Sequence, residues 1–403
     1  GVDVERVVAP QAQSVLLDIG GKKYPLDSIS LVATSQEGKY DWKLRSEMVD
    51  ANYTGTSSAA IGIPILINHF NYYFNNKAYQ ASDTLGSPQF DFDVEFHDRN
   101  NLLPVFVDGL ESLQPFTITG TFDSNSKILK LESTGTNLVY DGIHVDSLKL
   151  QAGSNPEKFL YKVSANRIAS DTISLHGISV RGSALHDSIN TFLRVMPDSG
   201  DIHLLLGWSL VPADNNFRLH LKPGQIIFNN EHWSAPGDNF IQFGADGFFI
   251  NNLKIFKGDT FFSAASKELK PDAPLLLTFQ NFDLQLFSQV FDSSQNLISG
   301  VMNGNFLLQD IKKFGFTSDL TITDLKLMHD HYGNLEVHAN NNVPGKYEGS
   351  CCSWLSEISK RSMFLLSSIA RCALSSLTVP LSASQPLPRI RSANSAFNSP
   401  LAM

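Results

Sequence analysis

The chain has 403 residues, 42% of them apolar and only 18% charged, with a formal net charge of −9 and 28 Phe. Such a composition buries a large surface and excludes a disordered chain. The acidic balance, with only short basic clusters such as Lys22-Lys23 and Lys312-Lys313 that read as solvated turns, excludes nucleic acid as a partner, because a phosphate backbone needs a basic stripe.

From the N-terminus, Gly1-Val-Asp-Val-Glu-Arg6 shows neither an initiator Met nor a signal-peptide pattern, so the chain reads as an internal fragment. No stretch approaches the ~20 apolar residues of a membrane-spanning helix. Short alternating segments follow at 14–19 and 39–45, and later at 160–165, 201–206, 216–221 and 240–243. They are bounded by Gly, Asn, Asp and Ser, which supply tight turns, and Asp141-Gly142, Asp246-Gly247 and Lys257-Gly-Asp259 read as hairpin punctuation. Period-two alternation gives each strand one apolar and one polar face, the mark of an antiparallel sheet. Two helices are expected among the strands. One lies within 57–75, with Ile61, Ile65, Phe70, Tyr73 and Phe74, and starts at about Pro64. The other spans Leu185 to Met196, where Leu185, Ile189, Phe192, Leu193 and Met196 form a stripe at helical spacing.

A unit of about sixty residues occurs twice. Phe90-Asp-Phe-Asp-Val-Glu-Phe96 corresponds to Leu275-Leu-Leu-Thr-Phe-Gln-Asn-Phe282. An apolar stretch at helical spacing follows each: Leu102, Leu103, Val105, Phe106 and Leu110 in the first, Leu284, Phe287, Val290 and Phe291 in the second. Then comes a strand with a central Gly, Phe116-Thr-Ile-Thr-Gly120-Thr-Phe122 against Gly300-Val-Met-Asn-Gly304-Asn-Phe306. Each copy closes on a long strand pair, 128–151 and 314–338. Duplication of a strand-rich module predicts a sheet extended by repetition, whose function lies in a continuous surface. The organisation expected is a β-rich segment over 1–89, a first unit over 90–274, a truncated second unit over 275–348, and a tail from 349.

The tail differs in texture. After Gly349 there are fourteen Ser, no Gly, a single acidic residue (Glu357), and all three Cys of the chain, Cys351, Cys352 and Cys372. It reads as disordered or out of frame. A Cys-free stretch of 350 residues suits an exported or envelope protein that needs no disulfides.

Chemistry-bearing motifs are sparse. The densest metal-ligand cluster, His329-Asp330-His331, lacks a third donor on its face and reads as a turn beside Tyr332-Gly333. Glu231-His232-Trp233 has no nucleophile near it. With no Gly-x-Ser-x-Gly, Walker loop, His-Glu-x-x-His or Cys-x-x-Cys, the expectation is a non-enzyme with no catalytic, cofactor-binding or metal-binding residue.

The segment 238–259, with Phe240-Ile-Gln-Phe-Gly-Ala-Asp-Gly247-Phe-Phe-Ile-Asn-Asn-Leu253, followed by Leu275 to Leu284 and by Leu297-Ile-Ser-Gly-Val-Met-Asn-Gly304-Asn-Phe306, resembles the translocation and assembly module family, TamB, in its Bacteroidetes type. More widely it is similar to AsmA-like envelope proteins. The resemblance covers roughly 90–345 and lacks the family's membrane anchor and C-terminal β-domain. It implies a mainly β fold: an elongated, twisted antiparallel sheet curled into an open apolar trough, with a few short amphipathic helices. It further implies a periplasmic segment of an inner-membrane-anchored protein in the cell envelope, conducting phospholipid between the membranes along a hydrophobic groove. The implied partners are phospholipid acyl chains and, through missing termini, a membrane and an outer-membrane assembly protein of TamA or BamA type.

Alternation supplies the candidate groove face: Phe90, Phe92, Val94, Phe96, Phe116, Ile118, Phe122, Leu277, Phe279 and Phe306. Strands stacked at ~4.8 Å would join these into one gutter. Three rival readings stay open: a chaperone that pairs client strands at its sheet edge, a closed structural or adhesive repeat whose Phe are core, and a glycan hydrolase with converging carboxylates.

Overall fold

The computed structural model describes residues 5–8, 12–19, 22–74, 87–97, 107–170, 173–185, 187–197, 200–286, 298–310, 315–327, 330–343 and 346–353. These residues form a mainly β structure of antiparallel strands with one helix. The helical stretches expected at 102–106 and 287–291, His329, and the tail from 354 lie outside the described residues.

In chain order the strands open with β1 (Glu5–Val8), β2 (Ala12–Ile19), β3 (Lys22–Gln36), β4 (Lys39–Arg45) and β5 (Val49–Gly55). Helix α1 (Ala59–Phe74) then intervenes. Strands β6 (Gln89–Phe96), β7 (Leu110–Leu113), β8 (Phe116–Asp123), β9 (Ile128–Ser133), β10 (Thr136–Tyr140) and β11 (Ile143–Ser154) follow. Next come β12 (Phe159–Ala169), β13 (Ser174–Leu185), β14 (Ser188–Val195), β15 (Leu204–Ala213), β16 (Asn216–Phe228), β17 (Glu231–Trp233), β18 (Phe240–Gly244) and β19 (Phe249–Asn251). The series ends with β20 (Leu253–Lys257), β21 (Thr260–Ser266), β22 (Leu275–Asp283), β23 (Ile298–Asp310), β24 (Gly315–Leu327), β25 (Asp330–Val343) and β26 (Lys346–Ser353).

Four of these pairs are one long strand with a break. β7 and β8 face β10 and β9 in a single ladder that keeps its register across the break, Leu113 opposite Leu138 and Ile118 opposite Ser133, and shifts only between Val139 and Tyr140. β17 and β18 both pair with β16, and β19 and β20 are parted only by Asn252, whose φ of 44° breaks the pleat. Two hydrogen bonds between Ser234 and Phe256, 2.9 Å each way, tie β17 to β20. The result is one antiparallel meander from β3 to β26, open rather than closed into a barrel. It runs through residues 90 and 275 without interruption, since β5 pairs with β6 and β21 with β22. It also crosses Gly349, which sits in β26 opposite Ala339.

The second expected helix is a strand hairpin. Leu185 ends β13, Asp187 turns the chain with a φ of 63°, and β14 pairs with β13 and β15 along its length. The same residues carry a period-two pattern, with Ile189, Thr191, Leu193 and Val195 on one face and Asn190, Phe192 and Arg194 on the other. Two flanking strands decide in favour of that period.

The first expected helix exists, but it begins at Ala59 and holds Pro64 inside. Ser58 O accepts hydrogen bonds from both Ile61 and Gly62 N–H at 2.9 Å, starting the helix before the proline. Gly62 is the reason the early turn is kept. A Cβ there would run into the Tyr53 hydroxyl and the Phe90 ring, so only glycine lets the helix approach the sheet this closely. Helix α1 thus covers a cluster of Tyr53, Phe90, Phe122, Leu129, Phe159 and Ala184, with Tyr73 buried among them.

Within this interface His69 donates or accepts a 2.8 Å hydrogen bond with Ser154 Oγ, and its ring lies 5.0 Å from Phe122 and 5.1 Å from Tyr73. Burial pushes its imidazole down to about 4, and the Lys127 ammonium pushes the same way. Between pH 6.5 and 4 the unfolded chain therefore binds a proton that the folded chain refuses. Stability from this site is complete above about pH 6.5 and declines as the pH falls to 4, by at most about 3 kcal/mol and less if water reaches the ring. Thermal unfolding followed from pH 7.5 to 4 is expected to show this loss, and His69→Gln to flatten it.

A second packing device recurs along the sheet. Phe92 stands opposite Gly120, Tyr161 opposite Gly182, and Phe279 opposite Gly304. At Gly120 and Gly182 the space for a Cβ is filled by the partner's ring, and the Tyr161 hydroxyl reaches over Gly182 to Thr191 Oγ1 at 2.7 Å. At these two positions the glycine lets the ring lie flat across the neighbouring strand. Of the central Gly of the two sequence copies, Gly120 takes part, whereas at Gly304 the space for a Cβ is filled by the Asp319–Leu320 backbone of β24.

Candidate functional site

The register settles which predicted residues share a face. Phe90 pairs with Phe122, Phe92 with Gly120, Val94 with Ile118 and Phe96 with Phe116, so all seven side chains project to one side. Phe96 and Phe116 stack at 4.8 Å between centroids. Farther along, Leu277 pairs with Phe306 and Phe279 with Gly304. Phe306 stacks on Phe316 at 5.2 Å.

These two groups belong to one surface. Trp42, Tyr53, Phe92, Gly120, Leu131, Ala152, Tyr161, Gly182, Thr191, Trp208 and Leu221 stand opposite one another in unbroken succession across the strands. Trp208 and Leu221 pack in a cluster with Ile226, Leu253, Phe262 and Leu277. Phe262 and Phe279 in turn reach Phe282, Ile322 and Leu335. An apolar face therefore continues from β4 to β25.

Not all of that face is open. Phe90 and Phe122 are only 4% and 3% exposed beneath α1, and they are core residues rather than groove lining. Val94, Phe96, Phe116 and Ile118 lie beyond the helix, half-buried, and belong to no core cluster among the described residues. Phe92 packs at the rim of the helix-covered cluster. Leu277, Phe279 and Phe306 are half-buried as well, the first two packed against neighbouring clusters.

A cleft of about 960 Å³ crosses β5 to β14, and it lies on the opposite face. Its walls are two parallel rows. One contains Thr54, Asp91, Thr121, Lys130, Gly153, Leu160, Ser183 and Asn190, and the other Asn52, Asp93, Thr119, Glu132, Gln151, Lys162, Arg181 and Phe192. The remaining lining residues, such as Gly120 and Gly182, belong to the row between, which turns its side chains to the apolar face and its backbone to the cleft. Eight strand positions at ~4.8 Å make the cleft roughly 34 Å long. Most side chains of the two cleft rows are polar, with Leu160 and Phe192 among them, while the continuous apolar row projects to the other face. The cleft is not legible in the sequence, because its residues are alternates of strand partners that lie 7 to 41 residues apart.

The sparse chemistry of the sequence has structural partners. Glu231 pairs with Lys257 at 2.6 Å. His331 meets Asp324 at 2.7 Å, and hydrogen bonds from Lys326 and His331 hold the Asp324 carboxyl below the usual range. Among the described residues, no three His, Cys, Asp or Glu side chains are grouped to hold a metal, and no helix is long and apolar enough to cross a membrane. Comparison with protein families, characterised proteins and solved structures gave no match.

Proposed function

We propose that the chain is a periplasmic segment of an envelope protein that carries phospholipid acyl chains along its apolar sheet face, without catalysis. One observation carries this reading: the face runs unbroken across the meander, and Val94 and Ile118 on it are half-buried and outside the core clusters of the described residues. An apolar strip open to water beside a covered core is the kind of surface that takes an apolar partner. Acyl chains lying on it would leave water at roughly 0.8 kcal/mol per methylene, and the absence of directional chemistry makes the segment a conduit. The TamB-like motifs at 238–306 support the same reading. Partners at the membranes would be reached through segments beyond this one.

Mass spectrometry of lipids extracted from the chain, purified from a Gram-negative envelope fraction, tests it. Stoichiometric phospholipid is expected. A lipid-free, stable monomer would move the assignment to a structural repeat whose apolar face is core.

A further inference from the structure

The cleft has an electrostatic asymmetry that lipid carriage on the other face does not use. Its β6–β9 end is acidic on balance, with Asp91, Asp93 and Glu132 against Lys130. Its β12–β14 end is basic. Lys162 and Arg181 stand directly opposite each other on adjacent strands, an arrangement that repels and destabilises a sheet unless something bridges it. Among the described residues no carboxylate forms an ion pair with either. From β11 to β16 the strands contain one acidic residue, Asp146, and it already pairs with Arg167 at 3.6 Å.

Arg181 and a third cation, Lys222, are held in place all the same. The Arg181 guanidinium lies 5.6 Å from the centre of the Phe192 ring, and Lys222 Nζ lies 5.4 Å from the same ring. Lys222 Nζ also donates a 2.6 Å hydrogen bond to Asn190 Oδ1, in the cleft wall. An aromatic face attracts and orients both positive charges without neutralising either. Three cations thus converge on one end of a cleft in a chain whose net charge is −9.

We propose that this end of the cleft binds a phosphate-bearing anion, its oxygens bridging Lys162 and Arg181 with Lys222 behind them. A phosphate supplies the oxygens that a guanidinium fork and an ammonium can share, and the concave walls favour a discrete group over a flat charged surface. The ligand is either a free phosphate or phosphate ester, or a lipid headgroup reached from the sheet edge.

The test uses the whole chain in phosphate-free buffer at low ionic strength. It is titrated calorimetrically with inorganic phosphate, and separately sedimented with phosphatidylglycerol or phosphatidylcholine vesicles. Binding of inorganic phosphate that weakens at least tenfold in Lys162→Gln/Arg181→Gln supports the site with a soluble ligand. Sedimentation only with phosphatidylglycerol vesicles, lost in the same variant, supports it with a headgroup as the source. Lys43→Gln, on the same face outside the cleft, should change neither. Without phosphate, Lys162→Gln should unfold at a higher temperature than the parent and lose any phosphate-dependent rise, because it removes the repulsion. No binding in either arm, or binding undiminished in the double variant, overturns the proposal.

Discussion

Val94→Asp combined with Ile118→Asp is expected to leave the chain folded and stripped of phospholipid, with lipid content at least tenfold below the parent. The two residues face each other across β6 and β8, beyond the reach of α1, and both are half-buried. Carboxylates placed there keep part of their hydration while breaking the apolar track. The contrast is Phe122→Asp on the same strand. Phe122 is 3% exposed beneath α1, beside Phe90 and His69, where an unpaired charge costs several kcal/mol. That variant should lose α1 packing, and its lipid content would say nothing about the face. Circular dichroism with lipid phosphorus analysis on both variants separates the two cases. Equal unfolding of both would mean that the face is closed core throughout.

Gly304→Ala should destabilise the sheet by about 3 kcal/mol or more. Its φ of 122° lies where L-residues are strained, and a Cβ would collide with the Asp319 carbonyl of β24 while Phe279 stands opposite. Gly142→Ala is the control, since its φ is 72° with nothing within 4 Å of a Cβ, in the hairpin between β10 and β11. It carries only the conformational strain, about 1 kcal/mol. Urea unfolding of the two variants measures the difference, and equal losses would show that the β23–β24 contact is not limiting.

Mainly β architecture was legible because alternation and turn chemistry are local signals. Asp141-Gly142 does turn the chain between β10 and β11, with φ of 46° and 72°. The grouping of Phe90, Phe92, Val94 and Phe96 with Phe116, Ile118 and Phe122 was also legible, since period-two alternation fixes a face and the repeat order suggests which strands adjoin. What lay out of reach was set by tertiary pairing. Leu185 to Met196 satisfies both helical and strand periods, and only the flanking strands choose between them. Pro64 reads as a helix start, yet Gly62 makes the earlier turn worth keeping by letting α1 touch Tyr53 and Phe90. The same contact buries Phe90 and Phe122, a fate that alternation cannot distinguish from lining a groove. Lys162, Arg181 and Lys222 are separated by whole strands, so no linear basic cluster announces them.

The most direct test of the central claim is photo-crosslinking of bound lipid from the two faces of adjacent positions. A photoreactive residue is placed at Val94 or Leu150 on the apolar face, and at Asp93 or Thr119 on the cleft face, in chains isolated from envelope membranes. Phospholipid adducts at Val94 and Leu150, with none at Asp93 and Thr119 at the acidic end of the cleft, are predicted. Adducts confined to the cleft positions, or none at any of the four, would contradict an acyl-chain path along the apolar face.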